Sequence, residues 1–135
     1  MVNVPDRPEY RSDLFKKCLE VRREVPGADY VDASLTRADD FNAVFQQMTT
    51  EIARGMAWTR PGLDRGTRGI VNLGMLSALN RCAGLRLHPR GALTNGVTRD
   101  GIEELLVQVG ADRGIPAALE ASKIATEVFR EAGNE

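Results

Sequence analysis

Hydrophobic residues recur at three- and four-residue intervals along most of the chain, and this spacing predicts α-helices. The first helix begins after Ser12, whose side chain suits an N-cap, and ends at Pro26-Gly27. The segment 29–32 is interpreted as a surface loop because of its acidic and small residues. The apolar positions predicted for the first helix are Leu14, Cys18, Val21 and Val25.

The second predicted helix has the clearest pattern. An acidic residue, Asp39 or Asp40, stands near its start, and the helix ends near Trp58. One face carries nearly all of its large apolar side chains, which is typical of an amphipathic helix. These residues are Phe41, Val44, Phe45, Met48, Ile52 and Met56.

The third and fourth predicted helices are less regular. Residues 70–79, after a cap at Asp64 or Thr67, are apolar almost all round. A helix of this kind is buried on every side, either in a domain core or between subunits. The fourth helix, over 85–93, contains Pro89, and we expect a kink or a late start there because an internal proline removes a backbone hydrogen bond.

Two further helices complete the pattern. Thr98 caps the fifth, which the Gly114-Ile-Pro116 sequence interrupts, and the last helix ends at Gly133. No segment alternates in the manner of a strand. The sequence therefore predicts an all-α single domain of about six helices over 1–135, with an N-terminal helical extension over about 1–35 and a core over about 36–132.

Composition narrows the possible partners. Eighteen Lys and Arg residues nearly balance 19 Asp and Glu, so we expect neither nucleic acid nor an anionic membrane as a partner. No apolar run approaches the roughly 20 residues that span a bilayer, and no secretory signal is expected. One histidine and two distant cysteines, Cys18 and Cys82, disfavour a metal site. We expect a cytoplasmic protein whose thiols are reduced.

Several motifs carry a resemblance to a known family. They are Val21-Arg-Arg-Glu-Val25, Phe41 with Phe45-Gln46, Trp58-Thr-Arg-Pro-Gly-Leu-Asp64, Thr67-Arg68, Leu85-Arg-Leu-His88 with Arg90, Ala92-Leu-Thr-Asn-Gly-Val-Thr-Arg99 and Gly114-Ile-Pro-Ala-Ala118. Together they resemble the carboxymuconolactone decarboxylase family, and the resemblance runs from Tyr10 to Ala132. It implies an all-α fold of the alkylhydroperoxidase D-like type, a homo-oligomer that is a hexamer or a trimer, and no metal or organic cofactor.

The resemblance also implies a reaction. In that family a carboxylate on an unsaturated lactone leaves as carbon dioxide, and the resulting dienolate is protonated on carbon. The enzyme must hold the carboxylate, stabilise the enolate oxygen and supply a proton. We therefore expect a cofactor-free carbon–carbon lyase, or a related proton-transfer enzyme, that acts on a small carboxylated lactone or enol.

Two residues are candidate catalytic groups. His88 suits proton transfer because imidazole titrates near neutral pH, although packing in the core is the alternative for a lone histidine. Asp112, followed by Arg113, stands where the family commonly has a small or aromatic pair. A proton shared between Asp112 and His88 would orient the imidazole, and the alternative for Asp112 is a surface ion pair with Arg113.

A second group of residues is expected to bind substrate. Arginine holds a carboxylate with two parallel hydrogen bonds, although an ion pair with an acidic residue is the alternative for each arginine here. Trp58 is interpreted either as a pocket wall or as a core residue that closes the second helix. Arg90, two residues after His88, points away from it on a regular helix. The candidates are Trp58, Arg60, Arg68, Asn72, Arg90 and Arg113.

Departures from the family pattern indicate a remodelled site. Met56 and Gly84 stand where decarboxylases of the family usually have glutamates, and Asn72 replaces a usual threonine. The dithiol of the peroxidase branch is absent because Arg81 and Gly84 occupy its positions. The expected function is therefore decarboxylation in aromatic compound catabolism, and two alternatives to it stay open. One is recruitment to isomerisation, cyclisation or dehydration in specialised metabolism, and the other is a non-catalytic oligomeric scaffold.

Overall fold

The computed structural model describes residues 4–133, which fall into two compact units that divide between Gly62 and Leu63. Seven α-helices and no strand occur in the described range, which confirms the predicted all-α class. None of the helices within 4–133 is long and apolar enough to cross a membrane. The single-domain organisation over 1–135 stays a prediction.

The first unit is built from three α-helices, a 3-10 turn and a π-helical segment. It contains a 3-10 turn (Pro8–Tyr10), α1 (Asp13–Glu24), α2 (Ala28–Arg37) and α3 (Ala43–Met48), and α3 runs directly into a π-helical segment (Thr49–Met56). The π-helical segment packs mainly against α1. The core of the unit consists of Tyr10, Phe15, Leu19, Val31, Leu35, Ala38 and Ala43.

The start of α1 is the predicted one, but its buried face differs. The Ser12 side chain accepts a hydrogen bond of 2.9 Å from the Phe15 amide, which confirms the N-cap. Of the predicted apolar positions, Cys18 and Val25 are buried but Leu14 is exposed, and Phe15 and Leu19 are buried instead. Helical spacing fixes which residues share a face, and tertiary packing decides which face turns inward.

The prediction of a surface loop at 29–32 was wrong. These residues lie in α2, which begins after Gly27. Val31 and Leu35 lie one turn apart on α2, and both are completely buried. Burial of this pair stabilises the helix despite the acidic residues around it, and α2 accounts for the seventh helix.

Gly55 lets α1 and the π-helical segment pack closely. A Cβ atom at this position would overlap the Cys18 side chain and lie 2.9 Å from the Thr50 carbonyl oxygen. The carbonyl cannot move without disturbing the helix that carries it. A side chain at position 55 therefore forces the two elements apart.

We expect Gly55→Ala to lower the free energy of unfolding by about 1–3 kcal/mol, the usual cost of overpacking, even though alanine is the better helix former. Urea denaturation followed by circular dichroism measures the change. Gly62→Ala is the matched control, since nothing lies within 4 Å of a Cβ atom built there. Equal stability of the two variants would contradict the close packing.

The second unit consists of α4 (Arg65–Ala78), α5 (Cys82–Thr94), α6 (Arg99–Asp112) and α7 (Ile115–Glu131). The side chains of Asp64 and Thr98 accept hydrogen bonds from backbone amides three residues on, which confirms a cap at each position. Gly114 has a φ of 132°, which favours glycine and separates α6 from α7 as predicted. Large buried residues of the core are Leu73, Leu85, Ile102, Leu105, Val109, Ile124 and Phe129.

Pro89 lies inside α5 rather than near its start. The helix begins at Cys82, so of the two expected outcomes the late start does not occur and the kink stays a prediction. Pro89 is completely buried, and its ring leaves the carbonyl of Leu85 without the usual helical hydrogen bond. The packing of Leu85 and Ala92 into the core holds the helix together on both sides of the proline.

Large apolar side chains are exposed on α3, on the π-helical segment that follows it and on α4. One group, which we call the α3 stripe, consists of Phe41, Val44, Phe45, Met48, Ile52 and Met56, and each of these side chains is exposed. Another group lies on α4, where Ile70, Val71 and Met75 are exposed while Leu73 is buried. The prediction that α4 is buried on every side therefore fails within the chain, which leaves the alternative of burial between subunits.

Candidate functional site

The single histidine lies on the inner face of α5. His88 is 9% exposed, and its helical neighbours Leu85 and Ala92 belong to the core of the second unit. Arg90 is exposed on the same helix, so the two side chains point in different directions, as predicted. Burial protects the imidazole from bulk water, which suits a group that exchanges a proton with a bound molecule.

The packing of α4 against α5 brings Asn72 level with His88. A Cβ atom at Gly84 would lie 2.7 Å from the Leu76 side chain, and one at Gly69 would lie 3.6 Å from the Ala92 side chain. These contacts show that the two helices run antiparallel. Asn72 lies four residues before Leu76, and His88 lies four residues after Gly84.

Two predicted substrate-binding residues occupy neighbouring turns of α4. Arg68 and Asn72 are half-buried and lie one turn apart, on one face of the helix. The Nδ2 atom of Asn72 is a buried donor without a hydrogen-bond partner among the described residues. A buried amide donor is ordinarily satisfied, so Asn72 has the character of a group that binds a ligand oxygen.

Next to Gly84, one of the two positions where the family usually has a glutamate, lies a side chain of α4. The Leu76 side chain lies so close to Gly84 that a Cβ atom there would meet it at 2.7 Å. A larger residue at position 84 therefore requires Leu76 to move, and a carboxylate would meet an apolar neighbour. Gly84 and Leu76 therefore pack as a pair, and the absence of a side chain at position 84 permits this contact.

Asp112 and Arg113 do not join His88 within the chain. Asp112 is exposed and forms no hydrogen bond or ion pair with any residue of the described range. Arg113 donates a hydrogen bond of 3.1 Å from Nε to the carbonyl of Ala78, at the end of α4. Arg113 therefore ties α6 to α4, and a role for Asp112 beside His88 would require a neighbouring subunit.

In the first unit, Trp58 is the buried member of an aromatic–guanidinium pair. It is 9% exposed, and the guanidinium carbon of Arg54 lies 5.6 Å from the centre of its ring. This distance is typical of a cation–π interaction. Arg60, two residues further along, is exposed after the helix has ended.

Arg22 and Arg54 form a basic pair that the sequence analysis missed. Arg22 is 4% exposed, and Arg54 is half-buried. Burial lowers the pKa of both guanidinium groups, and the positive charge of Arg54 lowers the pKa of Arg22 further. The signal for Arg22 was its position four residues after Cys18, on the buried face of α1, but arginine is ordinarily assigned to the surface.

A groove of the second unit lies between α6 and α7. It has a volume of about 420 Å³ and is lined mainly by apolar side chains, among them Leu106, Leu119 and Phe129. None of the eight predicted site residues lines it. Val107, Ile115 and Leu119 at this groove are exposed on the chain, so its apolar surface resembles the α3 stripe.

Comparisons with known proteins agree on one family. A model described as the carboxymuconolactone decarboxylase family matches residues 43–127. A 4-carboxymuconolactone decarboxylase of Acinetobacter baylyi is 43% identical over 119 residues, which cover 88% of this chain and 89% of the relative. A nitrosuccinic acid decarboxylase of Metarhizium robertsii is 38% identical over 113 residues, which cover 84% of this chain and 79% of the relative. An uncharacterised 15.0 kDa protein of Paracoccus denitrificans is 34% identical over 83 residues, which cover 60% of this chain and 62% of the relative.

Proposed function

The chain belongs to the carboxymuconolactone decarboxylase family, and on that basis we propose that it is a cofactor-independent decarboxylase of a small carboxylated substrate. The observation that carries the proposal is the 43% identity to a named decarboxylase over most of both chains. A second relative that is also a named decarboxylase supports the same reaction class. The buried His88, level with Asn72 across α4 and α5, supplies groups that such a reaction needs.

The proposed reaction breaks one carbon–carbon bond. The substrate carboxylate leaves as carbon dioxide, and the electron pair of the broken bond moves into an electron-withdrawing group of the substrate. His88 then gives a proton to a carbon of the resulting carbanion or enolate, and solvent returns a proton to the imidazole. Asn72 donates a hydrogen bond to the oxygen on which negative charge develops. Arg68, one turn away on α4, holds a carboxylate.

The substrate class follows from what the two named decarboxylases share. One name contains a carboxylated lactone and the other a nitro-substituted dicarboxylic acid, so each acid carries an electron-withdrawing group. Such a group accepts the electron pair, which explains how decarboxylation proceeds without a cofactor. Because position 84 carries no carboxylate and lies against the apolar Leu76 side chain, we propose a substrate that needs no acidic partner on that side.

Self-assembly is part of the proposal. The α3 stripe exposes six large apolar side chains, and further apolar side chains are exposed on α4 and beside the groove between α6 and α7. A second copy of the chain is the occupant that fits, since the resemblance implies homo-oligomers and apolar patches of this kind mark association surfaces. The proposal includes a hexamer or a trimer in the cytoplasm, where the two free thiols stay reduced.

The reaction class is tested with a panel of carboxylated compounds. Purified protein is mixed with 4-carboxymuconolactone, nitrosuccinate and related unsaturated or nitro-substituted acids, and carbon dioxide release is measured together with the ultraviolet absorbance of the substrate. We expect at least one member of the panel to release one carbon dioxide per molecule consumed. Consumption without carbon dioxide would instead support an isomerase, and no consumption of any member would contradict the proposal.

The role predicted for Asp112 is tested by its isosteric variant. If a neighbouring subunit brings Asp112 to His88, Asp112→Asn lowers turnover by about 10²–10⁴-fold, the usual contribution of an acid–base group. Steady-state kinetics on the substrate found in the panel measure the change, with light scattering to show that assembly is intact. Turnover within about twofold of the parent would show that Asp112 has no catalytic role and is an ordinary surface residue.

A further inference from the structure

The groove between α6 and α7 is formed by two antiparallel helices. A Cβ atom at Gly110 would lie 3.3 Å from the Ala118 side chain, and at the other end the guanidinium carbon of Arg99 lies 5.2 Å from the centre of the Phe129 ring. The groove has a volume of about 420 Å³, and most of the side chains that line it are apolar. An elongated apolar groove of this kind is one that an amphipathic helix can occupy.

The edges of the groove expose apolar side chains. Val107 on α6 and both Ile115 and Leu119 on α7 are more than half exposed, whereas Ile102 and Phe129, which also line the groove, are buried. Exposed apolar residues around a concave apolar surface are typical of a site that another molecule covers.

The α3 stripe has the spacing of a helix that binds in such a groove. Phe41, Val44, Phe45 and Met48 stand at positions i, i+3, i+4 and i+7, and Ile52 continues the same face. These five side chains are between 45% and 81% exposed, so they are available to another molecule. The chain therefore carries both a helical apolar ridge and a groove that accepts one.

The two surfaces also carry opposite charges. Arg99 lies at one end of the groove and forms no ion pair with any residue of 4–133, including Glu103 one turn away. Glu51 lies within the span of the α3 stripe and accepts hydrogen bonds from Ser12 and Gln47, but no cation of the same range pairs with it. A carboxylate on the ridge and a guanidinium at the groove are complementary.

We propose that the α3 stripe of one copy binds in the groove between α6 and α7 of a second copy. The contact joins two molecules, so it requires only that both surfaces are exposed on each chain, as they are. The proposal rests on the self-assembly proposed above and names the two surfaces that meet. A second copy is the occupant because the same chain supplies the ridge, the groove and the opposite charges.

The pairing of two different surfaces determines the kind of oligomer. When each stripe meets the groove of the next copy, the two terminal chains of a growing assembly keep one unused stripe and one unused groove until a ring closes. A ring of three chains uses every stripe and every groove, and two such rings make a hexamer. A contact between two stripes would instead stop at a dimer.

Single substitutions test each surface separately. Leu119→Asp and Val107→Asp place a carboxylate on either wall of the groove, and Phe45→Asp places one in the α3 stripe. Each should weaken association by at least about 100-fold, because the contact would bury an unpaired charge, and light scattering should show the 14.8 kDa mass of one chain. Leu14→Asp is the matched control and should keep the parent mass, since Leu14 is 56% exposed, Leu119 is 57% exposed, and Leu14 belongs to neither surface.

Mixtures of variants identify which surfaces meet. Phe45→Asp retains an intact groove and Leu119→Asp retains an intact stripe, so an equimolar mixture should form one contact for each pair of chains and reach twice the mass of either variant alone. Association stops there because the second contact would contain both substitutions. A mixture of Leu119→Asp with Val107→Asp contains no intact groove and should stay monomeric. Circular dichroism shows which variants fold, and Val107→Asp replaces Leu119→Asp in the first mixture if the latter does not.

Three results would overturn the pairing. The first is a parent protein that is a monomer, which also removes the proposed self-assembly. The second is an unchanged parent mass for both groove variants, and the third is no association between Phe45→Asp and Leu119→Asp when each is a monomer; these two remove the pairing and leave self-assembly through another surface. Carbon dioxide release is measured separately, so that association in the mixture without turnover of any panel compound removes the decarboxylase and leaves the pairing.

Discussion

We expect His88→Ala to lower carbon dioxide release by about 10²–10⁴-fold or more, on whichever panel compound the parent protein consumes. His88 is the only histidine of the chain, and it is buried in α5 opposite the Asn72 position of α4. Because a site that excludes water receives protons from solvent only slowly, water does not replace the missing imidazole. Turnover is measured by carbon dioxide release under substrate saturation.

The control for His88→Ala is Arg86→Ala on the same helix. Arg86 is exposed and pairs with Glu127 at 2.6 Å, and an exposed ion pair contributes only about 0–1 kcal/mol to stability. Circular dichroism and light scattering establish that both variants fold and assemble as the parent does. A folded, assembled His88→Ala protein that turns over within about threefold of the parent would contradict the proposed role of His88.

The second large effect is expected on assembly. Phe45→Asp places a carboxylate in the middle of the α3 stripe, where Phe45 is 53% exposed and its ring lies 6.2 Å from that of Phe41. If a second copy covers the stripe, the variant buries an unpaired charge, which costs about 3–5 kcal/mol and weakens association by at least about 100-fold. Size-exclusion chromatography with light scattering should then show the variant at the 14.8 kDa mass of one chain.

Leu14→Asp provides the matched control for the stripe. Leu14 is 56% exposed, close to the value for Phe45, but it lies on α1 and outside the α3 stripe. The same change of charge at a similarly exposed apolar residue should therefore leave the oligomer intact. An unchanged mass for Phe45→Asp, or a parent protein that is itself a monomer at micromolar concentration, would contradict self-assembly through this surface.

Local chemistry explains which parts of the fold were predictable. The caps at Ser12, Asp64 and Thr98 depend on one side chain and an amide three residues on, so the sequence alone contains the information. The helical state of residues 29–32 depends on burial of Val31 against residues far away in the chain. Local composition favoured a loop there, and tertiary packing favoured the helix.

The inward face of a helix was the weakest prediction for the same reason. The α3 stripe and Leu14 have the spacing of core residues, yet both are exposed on the chain. Spacing identifies residues that share a face without distinguishing a face that meets the core from one that meets another molecule. The expectation that the α3 stripe meets the core of its own chain was thus wrong. Its exposure is the basis of the proposal that the chains assemble through it.

The candidate site was predicted in part. The α4 and α5 motifs identified Asn72 and His88, and antiparallel packing of the two helices brings them level. Arg22 was missed because an arginine inside an apolar face contradicts the ordinary expectation for a charged residue. The pairing of Asp112 with His88 stays a prediction, since Asp112 is exposed at the end of α6 and this position does not determine which surface lies opposite it.

The central claim is that this chain removes a carboxylate and protonates a carbon of the enolate or carbanion that remains. The most direct measurement uses the compound consumed in the panel assay, labelled with ¹³C in its carboxyl groups, with the reaction carried out in deuterium oxide. We predict one labelled carbon dioxide for each substrate molecule and one deuterium on the product carbon, with both signals lost in His88→Ala. A consumed substrate that keeps all of its labelled carbon, or labelled carbon dioxide released equally fast by His88→Ala, would contradict the account.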